Sequence, residues 1–149
     1  MEDYAYNKRA GFDFELLEKF EAGISLLGTE VKSVRAGHMS LRGAFVTIHN
    51  GDAYLTNATI PPWQVANTPA SYDPTRSRKL LLNASELKYL IGKITTTGLT
   101  IVPIRVYNNR SVIKAEIALA KGKKQYHKKE KRKEADIKRD VERMLRGKE

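Results

Sequence analysis

AFVTIHNGDAYLTNATI, residues 44–60, presents two runs rich in β-branched and aromatic residues on either side of Asn50-Gly51. Asn-Gly tolerates positive φ at both central positions of a type I′ turn, whose twist matches that of the strands it joins. The stretch therefore predicts a β-hairpin, and it sets the reading of its surroundings. A second hairpin follows downstream, where LTIVPIRVY (99–107) and SVIKAEIALA (111–120) flank Asn108-Asn109-Arg110. Pro103 in the first of these runs predicts a sheet edge or a bulge, because proline cannot donate to a ladder.

Working outward, FDFELLEKFEAGISLL (12–27) mixes alternating and continuous apolar positions. A helix is one reading of its middle. A long strand is preferred, because Gly23 weakens a helix interior and the β pattern resumes at Ile24. GTEVKSVRAGH (28–38) reads as a short helix, with Thr29 as an N-cap, Val31 and Val34 three apart, and Gly37 as a C-cap. Residues 61–79 hold four of the five prolines and little periodicity, so they read as a long loop. NASELKYLIGKI (83–94) is a helix capped by Asn83, with Glu86 completing a capping box and Leu87, Leu90, Ile91 and Ile94 forming one apolar stripe to cover a sheet.

Five strands in antiparallel pairs, with one helix after the first and another between the third and fourth, predict a mainly β fold with helices. The expected architecture is an OB-fold-like closed antiparallel β-barrel with flanking short helices and a flexible basic C-terminal tail. The division expected is a barrel over residues 1–120 and a tail over 121–149, since the β-type runs stop at Ala120.

Charge supports that division. The 149 residues carry 27 Lys and Arg against 17 Asp and Glu, a net of +10. Residues 121–149 alone hold 13 basic and 6 acidic side chains, so most of the excess lies in the tail. A balance of this kind favours an anionic partner, a nucleic acid or an anionic membrane surface. The absence of cysteine excludes disulfides and thiolate metal sites. No stretch approaches the ~18 apolar residues of a membrane span, and the N-terminus has no signal-peptide core, so a cytoplasmic protein without a membrane partner is expected.

Catalytic motifs are missing. The sequence contains no nucleophile elbow, no phosphate-binding glycine loop and no His-Glu-x-x-His helix. His38, His49 and His127 are too scattered for a metal site, so neither metal nor cofactor is expected. The basic residues instead fall into clusters: Lys8-Arg9, then Lys32 with Arg35 and Arg42, then Arg76, Arg78 and Lys79. Each reads as solvated surface charge or, because it is clustered, as a set of phosphate contacts. Glu30 has two readings, a first-turn helix acid favoured by the macrodipole or an acceptor for a ribose hydroxyl or base amine. Tyr72 and Trp63 read either as stacking platforms for unpaired bases or as plugs over the core.

The tail opens with Lys121-Gly122-Lys123-Lys124-Gln125-Tyr126-His127-Lys128-Lys129. Farther on, Ile137, Val141, Met144 and Leu145 fall at i, i+4, i+7 and i+8, one narrow helical face. So short a helix is marginal alone, so the tail is expected to be disordered when free and to fold on its target; packing on its own barrel is the competing reading.

In order along the chain, the sequence carries Asn7-Lys8-Arg9-Ala10; Glu21-Ala22-Gly23-Ile24; Gly28-Thr29-Glu30-Val31-Lys32-Ser33 with Arg35; Asp73-Pro74 with Arg76 and Arg78-Lys79-Leu80-Leu81-Leu82; and Ala120-Lys121-Gly122-Lys123-Lys124. This set resembles the SmpB, or SsrA-binding, family of bacteria. The resemblance implies an OB-like barrel that binds the tRNA-like domain of transfer-messenger RNA and carries it to ribosomes stalled on messages without a stop codon. It implies no catalysed reaction, and a tail that enters the vacant messenger channel and becomes helical there. By the resemblance, Asn7, Lys8, Arg9, Glu30, Lys32 and the Lys121 to Lys124 run face the RNA, while Tyr126, His127, Lys128 and Lys129 lie near the decoding centre.

Arg35, Arg42, Arg76, Arg78 and Lys79 complete the expected RNA face, and Ile137, Val141 and Leu145 the expected channel helix. The family often has Asp-Lys-Arg where this chain has His127-Lys128-Lys129, and Pro-Tyr where it has Pro61-Pro62-Trp63. A monomer is expected. The competing readings are a barrel that grips ribosomal RNA directly and an RNA-processing enzyme, which would need a carboxylate cluster or a nucleophile with its base.

Overall fold

The computed structural model of the chain describes residues 3–123. Lys124, Tyr126, His127, Lys128, Lys129, Ile137, Val141 and Leu145 lie outside the described residues.

Seven strands form one antiparallel sheet in the order β1-β6-β7-β2-β5-β4-β3. They are β1 (Asp3–Tyr6), β2 (Phe14–Ile24), β3 (Phe45–His49), β4 (Asp52–Thr56), β5 (Arg78–Leu81), β6 (Thr100–Asn109) and β7 (Val112–Gly122). Three helices accompany them: α1 (Ala10–Asp13), α2 (Gly28–Arg35) and α3 (Ala84–Thr97). The sheet curls until β3 approaches β6. No hydrogen-bonded ladder joins the two ends among the described residues, so the expected closure of the barrel is not seen.

The Asn50-Gly51 hairpin forms as predicted, with φ of 50° and 78° at the two turn residues and register running from Phe45 opposite Thr56 to His49 opposite Asp52. In the β6–β7 hairpin the turn falls at Arg110 and Ser111, with φ of 51° and 65°, and Asn108 and Asn109 belong to β6. Pro103 marks a bulge, since register slips between it and Arg105; β6 is internal, lying between β1 and β7.

Two strands escape the sequence pattern. β1 is only four residues long, too short for a periodic signal. β5 alternates inward and outward at Arg78, Lys79, Leu80 and Leu81, with Arg78 and Leu80 buried. Its inward positions are an arginine and a leucine, so the polar/apolar alternation that marks a strand is absent, and the expected loop 61–79 ends two residues early. A single 3-10 turn, Val65–Asn67, interrupts the loop.

The helix ends follow their capping chemistry. Asn83 accepts from the Glu86 N–H at 2.8 Å, and Gly98 terminates α3 in the left-handed region at φ 67°. Gly37, at φ 83°, ends α2 with paired bonds from Gly37 N–H to Val34 and from His38 N–H to Ser33. At the start of α2 the cap position is Leu27 rather than Thr29, and Glu30 accepts the Leu27 N–H at 2.8 Å.

Leu90 of α3 and Val34 of α2 are fully buried with Leu55, Ile60, Ile101, Val106 and Ile117 in the main core. A second cluster, Ala10, Val102, Ile104, Ala118 and Ala120, seals the other face of β6 and β7 beneath α1. That second face fixes α1, and with it the turn Asn7-Lys8-Arg9.

Candidate nucleic-acid interface

Asn7 begins the turn between β1 and α1 and is pinned there. Its N–H donates to Ile104 at 2.7 Å and its Nδ2 to the Pro103 carbonyl at 2.9 Å, so the bulge that Pro103 creates supplies the anchor. Lys8 and Arg9 stand exposed on this turn. Arg9 reaches back to Asp13 at 3.3 Å and lies over the Phe12 ring at 4.7 Å. An exposed i,i+4 pair of this kind contributes only a few tenths of a kcal/mol, so the guanidinium is readily redirected to a phosphate.

The end of β7 arrives at the same place. Its ladder with β2 carries Lys121 opposite Glu15 and Gly122 opposite Phe14. Lys123 then donates from its backbone N–H to Asp13 at 3.1 Å and from Nζ to the Gly11 carbonyl at 2.8 Å. Arg42 shares a cleft of about 480 Å³ with Asn7, Lys8 and Arg9. Residues from three distant stretches of sequence, 7–9, 42 and 121–123, thus gather at one end of the sheet.

Glu30 and Arg78 lie elsewhere and beneath the surface. Both side chains are sealed, at 1% and 0% exposure. Arg78 donates to Glu30 Oε2 from Nε at 2.9 Å and from Nη2 at 2.6 Å, and to the Ala58, Arg76 and Pro74 carbonyls at 2.9, 3.1 and 3.0 Å. Arg76, partly exposed, donates from Nε to Glu30 Oε2 at 3.0 Å and makes a second, short contact from Nη2 to Oε1. The Tyr72 hydroxyl lies 2.7 Å from the Ile60 carbonyl and 3.0 Å from Glu30 Oε2, and has one proton to give to either.

Burial opposes ionisation of Glu30, but Arg76, the Leu27 N–H and Arg78 outweigh it and hold the carboxyl at about 2. Burial, then proximity to this carboxylate, push the Tyr72 hydroxyl up. The network ties α2 to the Pro-rich loop and to β5, and Ser33 adds a bond from Oγ to the Pro61 carbonyl at 2.8 Å. Direct contact of Glu30 or Arg78 with a ligand, expected from the sequence, is at odds with this burial. Glu30 is a first-turn acid of α2, the first of its two readings, and its carboxylate is already taken up by two arginines.

Arg35 is exposed yet committed: Nη1 donates to the Tyr4 hydroxyl at 3.0 Å and to Asn108 Oδ1 at 3.2 Å, and Nη2 to the Ser111 carbonyl at 2.8 Å. It braces α2 against β1 and the β6–β7 turn. Lys32 is exposed on α2, and Lys79 faces Asp52 across β4 and β5 at 3.6 Å. Trp63 is exposed and lies beside His38, with ring centroids 6.3 Å apart; it does not plug the core. Tyr72 is anchored by its hydroxyl and partly buried. Tyr6, at the lip of the cleft, belongs to no motif; its one sequence signal is its place as an aromatic directly before Asn7-Lys8-Arg9. Among the described residues no group of three His, Cys, Asp or Glu could hold a metal ion. No helix among them is long and apolar enough to cross a membrane.

The comparisons with known proteins agree in one direction. The family model described as SmpB protein matches residues 4–147. An SsrA-binding protein of Sulfurihydrogenibium sp. (strain YO3AOP1) is 51% identical over 144 residues, covering 97% of this chain and 94% of the relative. One from Ralstonia nicotianae is 46% identical over 144 residues, covering 97% of each. A solved structure described as "tmRNA-SmpB: a journey to the center of the bacterial ribosome" matches with a TM-score of 0.64 and 47% identity over 80% of this chain and 84% of that one. With a family model spanning nearly its whole length and relatives near half identity, this chain belongs to the SmpB protein family.

Proposed function

We propose that this protein binds transfer-messenger RNA through its tRNA-like domain and delivers it to stalled ribosomes in trans-translation, acting as an RNA-binding factor and not as an enzyme. The observation that carries the reading is the gathering of Asn7, Lys8, Arg9, Arg42 and Lys121 to Lys123 at one end of the sheet, in a chain whose relatives are SsrA-binding proteins. Three separate stretches of sequence supply positive charge to one surface, as a partner with a continuous phosphate backbone requires. Lys32 on α2 and Lys79 on β5, both exposed, and Lys124 add further RNA contacts in this reading. Glu30, Arg76, Arg78 and Arg35 act as positioning residues, holding α2, the Pro-rich loop and the β6–β7 turn where the contacting residues need them.

The curl of the sheet and the approach of β3 to β6 support an OB-type barrel left open along that seam. The expected boundary at residue 121 falls inside β7, whose ladder carries Lys121 and Gly122, so the tail of this reading starts after that strand. Lys121 and Lys123 belong to the RNA face, Tyr126 to Lys129 meet the decoding centre, and Ile137, Val141 and Leu145 form one side of a helix in the empty messenger channel. The protein acts as a cytoplasmic monomer. Titration of the full chain with transfer-messenger RNA tests the reading, and binding no tighter than to any RNA of equal length refutes it.

A further inference from the structure

The cleft between the end of β1 and the segment that follows α2 carries more chemistry than phosphate contact uses. We propose that it takes one unpaired nucleotide of the bound RNA, with Tyr6 stacking on the base while Lys8 and Arg42 hold the adjoining phosphate. This inference rests on the RNA-binding reading of the same surface and adds to it a nucleotide-sized pocket and a contacting aromatic.

The pocket has two kinds of wall. Ala5, Met39 and Leu41 are buried at 8%, 6% and 2% exposure and form an apolar floor. A volume of about 480 Å³ exceeds what a lone phosphate needs and falls in the range of pockets that enclose small organic ligands. The rim is cationic, with Lys8, Arg9 and Arg42, and two of these three have no acid partner among the described residues. Arg9, Arg35, Arg76, Arg78 and Arg105 each donate to an acid or to several oxygens, whereas the Lys8 and Arg42 side chains have no such partner among the described residues.

Tyr6 completes the pocket. At 57% exposure Tyr6 is more open than Phe45, Tyr89 or Trp63. Tyr4, two residues earlier, has its hydroxyl taken by Arg35, while the Tyr6 hydroxyl has no partner among the described residues. Its backbone is fixed nonetheless, since Tyr6 pairs with Arg105 in the β1–β6 ladder and Asn7 is held at 2.7 and 2.9 Å to β6. A rigidly mounted, open ring beside two cations unpaired among the described residues and an apolar floor suits a planar base joined to a phosphate. A base within a helix has both faces covered and cannot stack there, so the nucleotide is unpaired.

The test compares full-length wild type with Tyr6→Ala, Tyr6→Phe, Lys8→Ala and Arg42→Ala in binding transfer-messenger RNA over a range of salt. Tyr6→Ala is expected to weaken binding roughly tenfold, the scale of one lost base stack, without changing the salt slope. Tyr6→Phe retains the affinity. Lys8→Ala and Arg42→Ala weaken binding and each lowers the slope by about one. If the two cation variants weaken binding while Tyr6→Ala binds like wild type, the nucleotide pocket is refuted and the phosphate face stands. If all bind like wild type, the RNA face fails and the pocket with it. Tyr6→Trp in a Trp63→Phe chain gives an independent reading: its fluorescence is quenched on RNA binding if the ring meets a base, and unchanged emission overturns the proposal.

Discussion

Arg78 donates from both Nε and Nη2 to one carboxylate oxygen of Glu30, at 2.9 and 2.6 Å, in a place from which both side chains are excluded from solvent. Each charge is acceptable there only because the other is present; removing one partner of such a pair costs about 3–5 kcal/mol. The pair spans 48 residues of sequence, so it welds α2 to β5.

Glu30→Gln keeps the shape and removes the charge, and is expected to lower stability at neutral pH by about 3–5 kcal/mol in urea titration. The acid limb is diagnostic. Glu30 is held at about 2 against an ordinary 4.5, so between those values the unfolded chain takes up a proton that the folded chain refuses. Its contribution, roughly 3 kcal/mol by linkage, is complete above pH 4.5 and lost as pH falls toward 2. Wild type therefore loses stability more steeply than Glu30→Gln over that window, and parallel decline in the two chains would contradict the pairing.

Arg35 presents the opposite case, an exposed arginine already engaged with Tyr4, Asn108 and Ser111. Arg35→Ala is expected to cost about 1 kcal/mol of stability through the lost hydrogen bonds. The slope of RNA affinity against salt should not move, because no phosphate contact is lost. A slope reduced by about one would return Arg35 to the RNA face.

Much of this was legible in the sequence because local chemistry dictated it. Asn50-Gly51, Asn83 with Glu86, Gly37 and Pro103 each announce a turn, cap or bulge through their own backbone requirements. β5 was hidden because one of its two inward positions is Arg78, whose burial makes sense only beside Glu30, a residue brought near by folding. The same reason separates the two kinds of basic residue: Lys8 and Arg78 look equally available in a string of letters, yet one stands in a cleft and the other is sealed beneath a loop. Tyr6 carries no periodic signal of its own in the sequence, because a four-residue strand gives an aromatic no pattern to stand out from.

The junction after β7 predicts a separation of roles. Lys121 and Lys123 are held against β2 and α1, so a chain ending at Lys124 keeps the RNA face. Such a chain is expected to bind transfer-messenger RNA but to fail in tagging peptides on stalled ribosomes in a reconstituted translation system. Equal loss of both activities would sink the division between body and tail.

The most direct measurement is a pair of salt titrations, with the full-length protein binding transfer-messenger RNA in one and ordinary tRNA in the other. Phosphate neutralisation acts on both RNAs alike, so charge alone produces matching curves. A surface shaped for the tRNA-like domain of transfer-messenger RNA predicts tighter binding to that RNA at every salt concentration, with the preference persisting as salt weakens both. Identical affinities across the series would contradict specific recognition and leave a generic RNA binder.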